Sequence, residues 1–164
     1  MERTAFAVRA RCGIAGLCLL LLGAQPSGSR ADDNALRIEP TVRWDVRHPT
    51  KLSFEIVSMA SRPVELNEAS LPWGNHYALI LEAVTLPSGV SLEKLWPIDD
   101  PMDATLQFRP GTHLTGDVDL VGRFKDAQSV MGRKDVILFW SFQVRAKEGT
   151  FERVGGWLLA SAHN

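Results

Sequence analysis

The sequence predicts an all-β protein, a Greek-key β-sandwich of seven or eight strands preceded by a cleavable signal peptide. Short segments alternate apolar and polar residues, and turn-forming residues recur roughly every 8–12 positions. No segment carries the apolar spacing of an amphipathic helix three turns long. The irregular, proline-containing stretch at 87–104 favours a connection that crosses between two sheets over a series of hairpins.

Each predicted strand is bounded by turn-forming residues. Pro40 interrupts the first one, as expected of an edge strand or a bulge. Leu52, Phe54 and Ile56 alternate with polar residues and are expected to share one buried face. Residues 125–135 allow a short helix or a loop. The strand segments are 36–39 with 41–47, then 52–59, 64–66, 76–86, 104–108, 115–124, 136–145 and 151–160.

Residues 1–31 have the order of a secretory signal peptide. Arginines come first, the short apolar run 13–23 follows, and Ser29 and Ala31 place small residues before a cleavage point at Asp32. The run is shorter than the roughly 20 residues that span a bilayer, which disfavours a retained anchor. We therefore predict export to the periplasm or the exterior, without a transmembrane anchor after cleavage.

Cleavage at this point defines the working chain, residues 32–164, as a single domain. It removes four of 18 basic and one of 19 acidic residues, which leaves 133 residues with a net charge of −4. This acidic balance argues against nucleic acid as a partner, because phosphate binding requires clustered Lys and Arg. Both cysteines, Cys12 and Cys18, leave with the signal, so the mature domain has no disulfide and no thiol chemistry. An exported domain without cysteine favours a bacterial envelope.

The strand pattern of residues 36–160 resembles the immunoglobulin-like sandwich domains of exported bacterial proteins. The resemblance is carried by a Ser-Arg-Pro-Val turn at 61–64, by a turn at Arg109-Pro110-Gly111 before an alternating strand, and by an aromatic-rich strand before a final strand that contains glycine. It implies an immunoglobulin-like fold. It implies no catalytic residue, because such domains share no active site.

Catalytic and metal motifs are weak in this sequence, and we predict a non-enzymatic protein without cofactor or metal. The four histidines lack the spacing of a zinc site, and a G-x-S-x-G turn is missing. The acidic run Asp99-Asp100-Pro101-Met102-Asp103 matches DDxxD letters but contains proline within a β-rich chain. A solvated loop is favoured there over a calcium loop, since the EF-hand glycine and terminal glutamate are missing. Asp117, Asp119 and Arg123 are expected to share one strand face, which a solvated sheet surface explains without acid–base chemistry.

Tryptophan gives the strongest indication of a binding surface. Trp44, Trp140 and Trp157 lie in predicted strands and are expected in the core. Trp73 and Trp96 lie in proline-containing loops, where they either cap the end of the sandwich, the favoured interpretation, or anchor a partner. The predicted binding residues are Trp73, Asn75, His76, Tyr77, Trp96, Asp99, Asp100 and Asp103.

These observations predict an exported binding or protein-interaction module of the bacterial envelope. Its partner is expected to be another envelope protein or an unknown ligand. One alternative is an inhibitor of an envelope or extracellular enzyme such as a protease, with the proline-flanked loop 96–101 inserted into its target. A second alternative is a hydrolase whose Ser, His and Asp residues come from distant strands.

Overall fold

The sequence segments with alternating apolar and polar side chains form antiparallel strands. A computed structural model describes residues 37–99 and 104–162. The predicted signal peptide, together with Asp100 and Asp103, lies outside the described residues. The first strands are β1 (Ile38–Trp44), β2 (Lys51–Ser58), β3 (Val64–Asn67), β4 (Leu79–Thr85) and β5 (Val90–Ser91). The others are β6 (Thr105–Phe108), β7 (His113–Asp119), β8 (Val136–Phe142), β9 (Arg145–Ala146), β10 (Gly149–Thr150) and β11 (Val154–Ala160).

The all-β prediction is confirmed. Only two short helical segments interrupt the described strands, a 3₁₀ turn at Glu68–Ser70 and α1 at Ala127–Val130. Hydrogen bonds divide the strands into three antiparallel sheets: sheet 1 has the order β1-β2-β7, sheet 2 has β10-β9-β3-β6, and sheet 3 has β11-β8-β4-β5. Eight of these strands have four or more residues, which agrees with the seven or eight predicted.

Sheet 1 buries the face predicted from alternation. Leu52, Phe54 and Ile56 of β2 are at most 2% exposed and point into the core. Phe54 lies opposite Val42 on one side and Gly116 on the other, so all three residues share this inner face. Pro40 lies inside β1, where it pairs with Ile56. Because β1 is an edge strand, a proline is tolerated there, as the sequence predicted.

Sheet 3 supplies the aromatic part of the same core. Trp140 and Phe142 of β8 both contact Phe54, with ring centroids 6.1 and 5.9 Å away and near-perpendicular ring planes. Edge-to-face contacts of this kind stabilise beyond the buried area alone. Gly156 of β11 lies opposite Trp140, and a Cβ added there would be 2.9 Å from the indole ring. Because glycine has no side chain, position 156 leaves room for the Trp140 indole.

The structure corrects two strand boundaries near the predicted site. The strand expected at 76–86 begins only at Leu79, because residues 76–78 form a turn. The strand expected at 115–124 ends at Asp119, and the chain then turns at 120–123. Arg123 therefore does not share a strand face with Asp117 and Asp119.

One core assignment was wrong. Trp157 was expected in the core but is 57% exposed. Its register explains this, because Trp157 pairs with Phe139, and both point to the outer face of sheet 3. The inner positions of β11 are the alternate residues, among them Gly156 and Leu158, and Leu158 packs against the core. Trp44 and Trp140 are half-buried and pack against the core as predicted.

Candidate functional site

A turn centred on Asn75 positions two of the predicted binding residues. The Asn75 side-chain oxygen accepts hydrogen bonds from the backbone N–H groups of Tyr77 (2.6 Å) and Ala78 (2.9 Å). Its amide nitrogen donates to the carbonyl of Ala69 in the neighbouring 3₁₀ turn. An asparagine that bonds to backbone two and three residues onward favours a turn over a strand, which is why β4 begins late.

Arg123, from the turn after β7, binds the backbone of the turn centred on Asn75. Its guanidinium is half-buried and donates to the backbone carbonyls of His76 and Asn75, the latter at 3.2 Å. Asp99 approaches from the other connection, where its carboxylate accepts the His76 backbone N–H. The segments around residues 76, 99 and 123 are therefore joined by charge-assisted hydrogen bonds, which are stronger than neutral ones.

His76, Tyr77 and Trp96 form an aromatic cluster, which we call the aromatic loop surface. The imidazole ring centroid lies 5.4 Å from that of Tyr77 and 6.4 Å from that of Trp96. The Tyr77 hydroxyl donates to the carbonyl of Pro97 at 2.9 Å. Tyr77 and Trp96 are nevertheless 56% and 68% exposed. The rings are thus fixed in position while much of their area faces solvent.

Lys94 borders this surface and links it to sheet 3. Its Nζ lies 5.6 Å from the Trp96 ring centroid, within cation–π range, and it also forms an ion pair with Glu82 of β4. Beyond Trp96, Ile98 is fully exposed. The loop therefore presents an aromatic and an aliphatic side chain on either side of Pro97.

Trp73 does not belong to this surface. It packs against the core, and its indole ring lies over Gly116 of β7, where an added Cβ would be 2.1 Å from the ring. Trp73 therefore caps the inner face of sheet 1, as the favoured interpretation predicted. Trp96 does the opposite, since it is largely exposed and does not cap the core.

Burial changes the ionisation of the groups beneath the aromatic loop surface. Partial burial, reinforced by the nearby positive charge of Arg123, lowers the pKa of His76 below its ordinary value. A hydrogen bond with the Leu95 backbone and the Asp99 charge act in the opposite direction but more weakly. Burial also lowers the pKa of Arg123, which remains cationic because its ordinary pKa is far above neutrality. The imidazole of His76 is therefore favoured in its neutral form, next to the positively charged guanidinium of Arg123.

The outer face of sheet 3 adjoins this cluster and is largely apolar. Ile80, Phe139, Trp157 and Leu159 are its exposed large side chains, and we call them the apolar sheet face. The register places Trp157 beside Phe139, and Phe139 beside Glu82, so the face reaches the Glu82–Lys94 pair. Soluble proteins seldom leave contiguous apolar patches of this kind uncovered.

Sheet 1 presents the opposite chemistry on its outer face. Glu55 binds Arg43 at 3.3 Å and His113 at 2.7 Å, while the Ser53 hydroxyl donates to Asp117 at 2.7 Å. The His113 hydrogen bond, assisted by Arg43, lowers the pKa of Glu55. These exposed contacts are typical of a solvated sheet surface, as the sequence predicted for Asp117.

Among residues 37–99 and 104–162, no group of three or more His, Cys, Asp or Glu side chains is arranged to hold a metal ion. His113 and His48 each face one carboxylate, and these two pairs lie in different parts of the fold. His113 Nδ1 lies 2.7 Å from Glu55, and His48 Nδ1 lies 3.7 Å from Asp45. In the same part of the chain, no helix is long and apolar enough to cross a membrane.

The predicted binding residues are thus brought together in part. Asn75, His76, Tyr77, Trp96 and Asp99 converge, whereas Trp73 lies elsewhere. Arg123, which binds the loop backbone, and Lys94, which flanks the indole, were not among the predicted site residues. Arg123 was expected on a strand face because Asp117, Asp119 and Arg123 fall at alternate positions in residues 115–124. Only the turn that begins after Asp119 separates it from that pattern.

Comparisons with known proteins give little beyond the structure itself. No family model and no curated protein sequence matches this chain. One solved structure with some likeness is that of a candidate ApaA protein from Bordetella pertussis. It is 7% identical, with a TM-score of 0.46, and the match covers 80% of this chain and 98% of that one. At that level of similarity, the match demonstrates neither a common fold nor a common function.

Proposed function

We propose that this chain is an exported, non-enzymatic binding module of the bacterial envelope, with an immunoglobulin-like Greek-key domain that follows a cleaved signal peptide. It recognises a protein partner through the aromatic loop surface. The observation that carries this proposal is the combination of exposure and fixation. Tyr77 and Trp96 remain more than half exposed, although hydrogen bonds hold the backbone and hydroxyl of Tyr77 in place. The indole of Trp96 is contacted by Lys94 and by the His76 ring.

Fixed, exposed aromatic rings suit protein recognition for an energetic reason. Tyr, Trp and Arg dominate the binding free energy of interfaces, and a ring that is already ordered loses little conformational entropy on binding. Here Asn75 and Arg123 order the backbone, and Lys94 lies against the indole. A surface ring with no such support would be expected to move freely and to bind more weakly.

Affinity capture from envelope extracts, followed by measurement of the dissociation constant for the captured protein, tests this role. Tyr77→Ala and Trp96→Ala are each expected to weaken binding by about 30-fold or more, the usual range for an interface hot spot. Val121→Ala is the matched control, because Val121 is an exposed apolar residue in a different turn. If both aromatic variants fold and bind the partner as tightly as the control, the proposed surface is wrong.

Export is tested separately from binding. The full-length chain, expressed in a Gram-negative bacterium, is expected in the periplasmic fraction or the medium with Asp32 as its first residue. Mass spectrometry of the intact purified protein measures this end directly. Ala31→Arg should block cleavage, because signal peptidase requires a small residue at that position. A cytoplasmic product that keeps residues 1–31 would contradict the export proposal and leave the loop experiment unaffected.

One observation favours the inhibitor as a second candidate function. Ile98 is fully exposed next to Pro97, whose backbone carbonyl accepts the Tyr77 hydroxyl hydrogen bond. An apolar side chain on a constrained loop is the kind of group that enters an enzyme's specificity pocket. Inhibition constants against a panel of purified envelope and secreted proteases would test it. Ile98→Arg should abolish inhibition, whereas Val121→Arg should not, and the absence of inhibition by the wild-type protein would exclude this role for the proteases tested.

A further inference from the structure

The apolar sheet face is the largest described feature that the proposed loop function does not use. Its residues alternate along two adjacent strands, β8 and β11, with Ile80 on β4 beside them. Ile80 is 52% exposed, Phe139 45% and Leu159 47%, in addition to the exposed Trp157. The alternate residues of the same strands fill the core, so sheet 3 is apolar on both faces. This is the pattern of a sheet that is covered on both sides.

We propose that the apolar sheet face binds a second copy of this chain, which forms a two-fold symmetric dimer with two sheets packed face to face. In a two-fold dimer the same patch serves both subunits, so it must be compatible with itself. This face meets that requirement because its acidic residue, Glu82, is already paired with Lys94 of the same chain. Two copies can therefore approach without unpaired like charges meeting at the centre.

The area of the face fits a dimer. From the exposed fractions and ordinary side-chain sizes, the four residues offer about 400 Å² of apolar area per chain, and a symmetric pair therefore buries about 800 Å² from them alone. Val84, Ile137 and Ser141, partly exposed residues on the same outer face, bring the total to about 1,000 Å², near the smallest area expected of a biological interface. A stable homodimer is thus within reach of this surface, while the aromatic loop surface remains at its edge.

A lipid surface is a less suitable occupant. Binding to anionic lipid relies on free Lys and Arg around the apolar residues. Here Lys94 is engaged by Glu82. The Arg153 guanidinium, 3.4 Å from the Ser141 hydroxyl, keeps its charge but is a single cation and not a cluster. A second sheet with the same apolar composition requires no such charges. The two sheets would pack about 10 Å apart with their strands roughly aligned, as in natural sandwiches.

Sedimentation equilibrium of the protein purified after full-length expression, over about 1–200 μM, tests the dimer. The wild-type protein is expected to show a concentration-dependent dimer. Phe139→Lys and Trp157→Lys should each raise its dissociation constant by about 30-fold or more. Lysine at 139 would lie opposite Glu82, a favourable cross-strand pair, so the fold should be retained. Met59→Lys is the matched control, because Met59 is 57% exposed and follows β2 of sheet 1.

The proposal is overturned by a wild-type protein that stays monomeric over this range, or by a dimer that both folded variants leave intact. If the variants do not fold, hydroxyl-radical footprinting of the wild-type protein tests whether the apolar sheet face becomes buried in a dimer. Oxidation of Trp157 should fall severalfold from the lowest to the highest concentration, while oxidation of Met59 should not change. Equal oxidation of Trp157 at both concentrations would also overturn the dimer. None of these measurements depends on the partner of the aromatic loop surface.

Discussion

Replacement of Gly116 by alanine is expected to destabilise the fold through Trp73. Gly116 lies in the middle of β7, and an added Cβ would be 2.1, 2.4 and 2.5 Å from three atoms of the indole ring. Atoms do not approach so closely, so the indole must move away from the inner face of sheet 1. Overpacking of this kind costs about 1–3 kcal/mol, and a rigid ring flanked by core residues indicates the upper part of that range. We therefore expect Gly116→Ala to lower the free energy of unfolding by about 3 kcal/mol.

A double-mutant cycle isolates the cause. Trp73→Ala alone should cost about 2 kcal/mol, below the usual range for a fully buried tryptophan because Trp73 is half-buried. In the Trp73→Ala background the clash is gone, so Gly116→Ala should cost less than about 0.5 kcal/mol. Urea unfolding followed by circular dichroism measures all four proteins, with an unchanged slope as the sign of unchanged two-state unfolding. If the two single effects simply add, the steric account of Gly116 is wrong.

Three further predictions concern the aromatic loop surface. Arg123→Met should lower the free energy of unfolding by about 2 kcal/mol, since two carbonyls lose a charged donor, and urea unfolding that matches the wild type would contradict the clamp. Trp96→Ala should change that free energy by less than about 0.5 kcal/mol, because the ring is mostly exposed; a larger loss would mean that Trp96 supports the core. Because folding lowers the pKa of His76, the unfolded chain binds the proton more readily, and His76 favours unfolding as the pH falls through its ordinary value near 6.5. His76→Asn should therefore flatten the pH dependence of stability between about pH 7 and 5, and an unchanged slope would refute this account.

Alternation was sufficient to predict the fold class and most strands. Leu52, Phe54 and Ile56 follow a strict period of two, and a one-residue shift would expose all three, so the pattern specifies their face strongly. The turn at Arg109–Gly111 was also predicted, and Gly111 has a φ of +69°, a conformation that glycine adopts readily. The immunoglobulin-like Greek-key arrangement and the signal peptide stay predictions.

Two features were beyond a reading of the sequence, for different physical reasons. Trp157 was placed in the core on hydrophobicity alone, whereas the face of an apolar strand depends on its register against Phe139. The contact between Arg123 and the 75–76 backbone joins residues that are 47 and 48 positions apart. Its acceptors are main-chain carbonyls, which every residue type possesses, so no side-chain motif marks it. Such contacts become visible only when the chain is folded.

Because Arg123 binds the loop through backbone carbonyls, the side chains of the aromatic loop surface can be replaced during evolution. The guanidinium binds the carbonyls of residues 75 and 76, which remain whatever side chain position 76 carries. Substitutions at His76, Tyr77 or Trp96 can thus alter what the surface recognises while the support underneath persists. The site separates the residues that contact a partner from the residues that hold the loop, Asn75, Asp99 and Arg123. Such a separation makes the loop a suitable starting point for selecting new binding specificities from a library.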